Sequence, residues 1–66
     1  MKGKVLWFNE AKGYGFIMTE SGKEAFVHYS NILVAGYKTL IADQPVTLEL
    51  YDVNGKYEAR DVRRDD

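Results

Sequence analysis

Two short segments of the sequence place aromatic side chains at alternating positions between small or aliphatic residues. Side chains alternate across a β-strand, so Tyr14 and Phe16 share one strand face, and Phe26 and His28 share a face of another. Exposed rings stack on the faces of nucleobases, and lysines contact phosphates, so the pattern predicts a surface for single-stranded nucleic acid. The segments are Lys12-Gly13-Tyr14-Gly15-Phe16-Ile17 and Ala25-Phe26-Val27-His28-Tyr29.

The opposite faces of the same two strands are small and aliphatic. They carry Gly15 and Ile17 on one strand, and Ala25 and Val27 on the other. A narrow barrel accommodates this set inside, which places the rings outside, where clustered apolar side chains usually mark a binding surface. The alternative is an inverted sheet with the rings in the core, Ile17 and Val27 in water, and His28 buried.

The first strand does not follow simple alternation. Val5 and Trp7 have the same parity, yet Val5 suits the core and Trp7 suits the ring surface. A β-bulge or a sharp bend between them would reconcile the two placements. We therefore predict that Trp7 stacks on bases, with Phe8 as a weaker contact.

Short segments bounded by turn residues dominate the chain, and no long window has helical periodicity, so the sequence predicts an all-β fold. Asn54-Gly55 predicts a type I′ hairpin turn, and residues 20–23 predict another turn around Gly22. We also predict a single helical turn capped by Ser30, a long connection over 34–43 and a frayed end over 63–66. The five expected strands are 4–8, 14–19, 24–29, 46–52 and 57–62, which suggests a small five-stranded antiparallel Greek-key barrel.

Composition limits the functional classes. The chain has 66 residues and no cysteine, so we expect one domain, 1–66, without disulfides or a thiolate zinc site. The net charge of −1 does not favour nucleic acid, but residues 1–38 carry a balance of +2 and seven of the nine aromatic side chains. With neither a signal peptide nor a membrane span in the sequence, we expect a cytoplasmic protein, with no metal or other cofactor.

The paired aromatic segments are preceded by Gly3-Lys4-Val5-Leu6-Trp7-Phe8-Asn9 and followed by Gly36-Tyr37-Lys38-Thr39-Leu40. Together these segments resemble the bacterial cold-shock protein family. The resemblance covers essentially the whole chain. It implies an oligonucleotide-binding-type barrel that binds single-stranded DNA and RNA with a pyrimidine preference. It also implies an RNA chaperone that regulates transcription and translation on cooling. Carried over by position, its binding residues are Trp7, Lys12, Tyr14, Phe16, Phe26, His28, Tyr29, Tyr37 and Lys38, with Phe8 and Asn9 as weaker members.

The sequence departs from the family pattern in several places. Leu6 stands where a lysine is frequent, which removes one positive charge beside Trp7. Ala25 is smaller than the usual residue there. The family's glycine-proline entry to the last strand reads Gly55-Lys56-Tyr57 here, so that Tyr57 either packs over the turn or adds a stacking surface.

Two other functional classes compete with nucleic-acid binding. An enzyme has little support, because His28 is the single histidine and the Gly13-Tyr14-Gly15 fragment precedes a strand rather than a helix. A barrel whose aromatic side chains bind a proline-rich peptide is the main alternative. We expect a monomer, with a strand-exchanged dimer as the alternative assembly.

Overall fold

The computed structural model describes residues 1–33 and 39–65 of the chain. Its five strands are β1 (Lys2–Asn9), β2 (Tyr14–Thr19), β3 (Glu24–His28), β4 (Pro45–Val53) and β5 (Lys56–Arg64). A 3₁₀ helix, Tyr29–Asn31, follows β3 directly. All five predicted strands are present, and the predicted all-β class is confirmed.

The strands close into a barrel in the order β1-β2-β3-β5-β4, with β4 returning to β1. Four of the five strand pairings in the described part of the chain are antiparallel, and β3 runs parallel to β5. The parallel contact is made through a single register pair, Phe26 with Glu58. Barrel closure therefore places the last strand beside the strand that carries Phe26.

The core is aliphatic, as expected for a narrow barrel. Ile17, Ala25 and Val27 are fully buried, so the inverted-sheet alternative is wrong. β-Branched and small residues pack well on the curved inner face of a small closed sheet. The buried hydrophobic residues of the described chain are Val5, Ile17, Ala25, Val27, Ile32, Leu40, Val46, Leu48, Ala59 and Val62.

Both predicted hairpin turns are confirmed. Asn54 and Gly55 have φ values of 53° and 83°, the pair of positive angles that a type I′ turn requires. The turn between β2 and β3 closes on Thr19, whose hydroxyl accepts a hydrogen bond from the Lys23 N–H at 3.0 Å. Gly22 lies in that turn at a φ of 84°.

The local predictions at the end of the third strand were wrong. The third strand ends at His28 rather than Tyr29, and the helical turn begins at Tyr29. Its cap is His28 rather than Ser30, because the His28 ring accepts a hydrogen bond from the Ser30 N–H.

The predicted frayed end was also wrong for the described residues, because β5 continues to Arg64. Arg64 pairs with Val46, and the Asp65 N–H donates to the Pro45 carbonyl at 3.0 Å. An ion pair of 3.0 Å between Lys2 and Asp65 also joins the two ends of the chain. These contacts with β4 and β1 keep the last residues on the barrel, a pairing that local sequence does not reveal.

Candidate nucleic-acid interface

Four aromatic side chains form a continuous cluster on the outer face of β1, β2 and β3. Ring centroids lie 5.5 Å apart between Trp7 and Phe16, and 5.7 Å apart between Phe16 and Phe26. Tyr14 lies 5.7 Å from Trp7 and 5.8 Å from Phe26. We call Trp7, Tyr14, Phe16 and Phe26 the ring cluster.

Strand register explains why these rings meet. Trp7 pairs with Phe16 across β1 and β2, and Phe16 pairs with Phe26 across β2 and β3. Rings at directly paired positions lie within contact distance on the same face of the sheet. The exposed fraction of Trp7 is 44%, whereas the other three rings are half-buried by their neighbours. The cluster therefore offers a broad ring surface to solvent.

A β-bulge in β1 directs Trp7 outwards. The register with β2 shifts between Val5, which pairs with Ile17, and Trp7, which pairs with Phe16. Leu6 is the extra residue between them. Val5 is fully buried while Trp7 is exposed, as the parity argument required, so the predicted bulge is confirmed.

Close approach of β1 and β2 depends on Gly15. A Cβ atom at this position would lie 2.7 Å from the Phe8 Cα and closer still to the Trp7 carbonyl oxygen. Both are backbone atoms of β1, which cannot move without shifting the strand. Gly15 thus allows the spacing at which Trp7 contacts the rings of β2.

A second ring pair lies next to the cluster, at the end of β3. The ring centroids of His28 and Tyr29 lie 4.5 Å apart. The His28 Nδ1 atom accepts the Ser30 N–H at 3.3 Å and lies 2.9 Å from the Ser30 hydroxyl, so the ring is held in place. Tyr29 is 49% exposed, and its backbone N–H donates to the Gly13 carbonyl at 2.8 Å.

The loop between β1 and β2 presents Lys12 beside this surface. The Asn9 side-chain oxygen accepts the Lys12 backbone N–H at 2.9 Å, and the Asn9 carbonyl accepts the Gly13 N–H at 2.7 Å. Gly13 also packs against the Tyr29 ring. Lys12 is exposed, so its ammonium group is accessible to a phosphate.

The remaining predicted site residues fall into two groups. Phe8 packs against the core, and Asn9 shapes the loop before Gly13, so both have structural roles in addition to the predicted contacts. Tyr37 and Lys38 lie outside the described residues.

The structure adds β5 residues that the sequence left undecided. Tyr57 is half-buried and packs against the core. The Lys23 ammonium lies over its ring, 5.2 Å from the ring centroid. Tyr57, Lys56 and Glu58 line a groove with Phe16 and Phe26. The turn signal at Asn54-Gly55 located the hairpin in the sequence, but local sequence carries no signal that β5 would lie next to β3.

Residues 1–33 and 39–65 were compared with two kinds of site, a metal-holding side-chain cluster and a membrane-spanning helix, and match neither. These residues contain no group of three or more His, Cys, Asp or Glu side chains placed to hold an ion. Nor does any helix among them have the length and apolar character needed to cross a membrane.

The family comparison agrees with this geometry. Residues 1–64 match the family described as the 'Cold-shock' DNA-binding domain. The chain belongs to the cold-shock domain family. Membership supports nucleic-acid binding in the cold-shock response as the general role of the chain, and it agrees with the barrel and the outward ring cluster.

Several curated proteins are similar to this cold-shock domain over most of their length. Cold shock-like protein CspD of Bacillus cereus is 47% identical over 62 residues, which is 94% of each chain. Cold shock protein CspB of Bacillus caldolyticus is 46% identical over 61 residues, 92% of each chain. Cold shock-like protein CspE of Escherichia coli is 53% identical over 51 residues, 76% of this chain and 74% of that protein.

Proposed function

We propose that the chain binds single-stranded DNA and RNA by stacking bases on the ring cluster. The observation that carries the proposal is the contiguous set of rings on three neighbouring strands, at centroid spacings of 5.5 to 5.8 Å. Base stacking on a protein ring contributes about 1–3 kcal/mol per base. Bases in a duplex are already stacked on each other, so the ligand is a single strand.

The remaining predicted residues complete this interface. His28 and Tyr29 extend the ring surface past the end of β3, and Lys12 contacts a phosphate at the edge. Family resemblance supports Tyr37 and Lys38 as further contacts, together with a preference for pyrimidines.

The biological role follows from the mode of binding. A protein that stacks single-stranded bases shifts RNA away from paired structures, which is the activity of an RNA chaperone. Such a protein regulates transcription and translation when cooling stabilises RNA structure. We propose this role for a monomer in the cytoplasm, with no catalytic activity and no metal or cofactor.

Fluorescence of Trp7 provides the direct test, because it is the single tryptophan of the chain. Titration with hexathymidine should quench the emission saturably, and a DNA duplex of equal charge should have little effect. A proline-rich peptide serves as the third ligand, because exposed aromatic side chains also bind such peptides. Quenching by the peptide and not by the oligonucleotide would replace the proposal with a protein-interaction role.

A further inference from the structure

A groove beside the ring cluster has a chemical character that stacking alone does not require. It has a volume of about 550 Å³, within the usual range for small-ligand sites. Phe16 and Phe26 belong both to the ring cluster and to the groove, and Tyr57 adds a third ring. A single-stranded nucleic acid whose bases stack on the ring cluster can therefore place its next base in this groove.

Two carboxylates and the Lys56 side chain also line the groove. Glu58 pairs in register with Phe26, and Glu24 lies two residues before Phe26 on the same face of β3. The Arg60 Nε atom donates to the Glu58 Oε1 atom at 2.8 Å, and the Arg60 guanidinium lies 4.2 Å from the centre of the Tyr51 ring. These contacts orient the Glu58 carboxylate next to the Phe26 ring.

Carboxylates at this position select for hydrogen-bond donors. An ionised carboxylate only accepts hydrogen bonds, and it repels phosphate oxygens and base carbonyls. The base edge that meets Glu24 and Glu58 must therefore carry donors. The Watson–Crick edge of guanine has two adjacent donors, N1–H and the N2 amino group, which match the two oxygens of one carboxylate.

The other bases fit less well. Cytosine and adenine each place an acceptor nitrogen next to the amino group, and thymine and uracil place carbonyls on both sides of N3–H. Lys56 can donate to one of these acceptors, but none of these bases then offers two adjacent donors to a carboxylate, whereas guanine does so with its O6 acceptor placed beside N1–H. We propose that the groove lined by Phe16, Phe26, Tyr57, Glu24 and Glu58 is a guanine-selective base subsite at one end of the nucleic-acid interface.

This inference rests on the proposed function, since the guanine is part of the strand that stacks on the ring cluster. It departs from a uniform pyrimidine preference at one position of the ligand. The remaining bases contact rings without directed hydrogen bonds, so their identity matters less.

The test compares hexathymidine with six derivatives that each carry one guanine. Dissociation constants come from Trp7 quenching at fixed salt. One derivative should bind about fivefold more tightly or better, the lower end expected for a bidentate hydrogen-bonded pair. Inosine at that position lacks the N2 amino group and should lose most of the gain. Equal affinity of all six derivatives would overturn the proposal.

Variants assign the effect to the groove. We divide the dissociation constant for hexathymidine by the dissociation constant for the tightest guanine derivative. In Glu58→Gln and in Glu24→Gln, this ratio should fall towards one, because the preference for guanine is lost. Glu20→Gln is the matched control, because it removes the same charge from an exposed position outside the groove. A ratio unchanged in both groove variants would overturn the proposal. Failure of the wild-type chain to bind hexathymidine would instead refute the proposed function.

Discussion

Phe26 shows how one side chain joins the parts of the interface. Its ring contacts Tyr14 and Phe16 and lines the groove, and it lies outside the buried core. In the sheet, Phe26 pairs in register with Glu58. The ring is thus available to a base on the outer face. Loss of the ring should affect binding much more than folding.

We expect Phe26→Ala to weaken hexathymidine binding by about 1–3 kcal/mol, because one stacking surface is lost. The variant should remain folded with a cooperative urea transition. Ile41→Ala is the control, since it removes an exposed apolar side chain that belongs neither to the ring cluster nor to the groove. Unfolding of Phe26→Ala would mean that the ring supports the fold rather than the ligand.

At the scale of elements, the pairing of β1 with β2 determines where Trp7 lies. The bulge at Leu6 reverses the alternation of β1, and Gly15 lets the strand approach. Each feature acts on the backbone of the same strand. A change in this pairing should therefore move the exposed tryptophan as well as lower stability.

Gly15→Ala tests this coupling. Its Cβ would meet backbone atoms of β1, and overpacking of this kind costs about 1–3 kcal/mol of unfolding free energy. We also expect a shift in the Trp7 emission maximum and weaker binding of hexathymidine.

Gly22→Ala is a control with a different cause of strain. Its Cβ would meet no atom within 4 Å, so its cost comes only from the positive φ of 84°. It should lower stability without changing Trp7 emission. An unchanged emission maximum and affinity in Gly15→Ala would show that the close approach does not position Trp7.

At the scale of the whole molecule, the charge distribution is unusual for a nucleic-acid-binding protein. The net charge is −1, and the groove end of the interface carries Glu24 and Glu58 against the single cation Lys56. Lys12 is the exposed cation on the loop beside His28 and Tyr29, with Lys38 predicted as a second. Stacking should therefore contribute more to affinity than ion pairing does.

This balance predicts a weak salt dependence. Each neutralised phosphate of a single strand contributes about 0.7 to the slope of log affinity against log salt concentration. With Lys12, Lys38 and one further lysine engaged, the slope for hexathymidine should stay below about 3. Measurement of Trp7 quenching across a series of salt concentrations gives the value. A slope of about six or more would show that electrostatic contacts dominate.

Alternation within single strands by itself determines much of this protein. The parity of Tyr14 and Phe16 against Gly15 and Ile17 predicted which face is inside, because neighbouring side chains in a strand point to opposite sides. The conflict between Val5 and Trp7 predicted the bulge for the same reason. Local turn chemistry at Asn54-Gly55 located the last hairpin.

Only the tertiary structure decided which strands became neighbours. The position of β5 beside β3 depends on closure of the barrel, which no local pattern encodes. That closure brought Glu58 next to Phe26 and Tyr57 to the groove, and it extended β5 to Arg64. His28 became the cap of the 3₁₀ helix because its ring meets the Ser30 N–H only when β3 ends there. Contacts within a strand follow from sequence order, whereas contacts between distant strands depend on how the sheet closes.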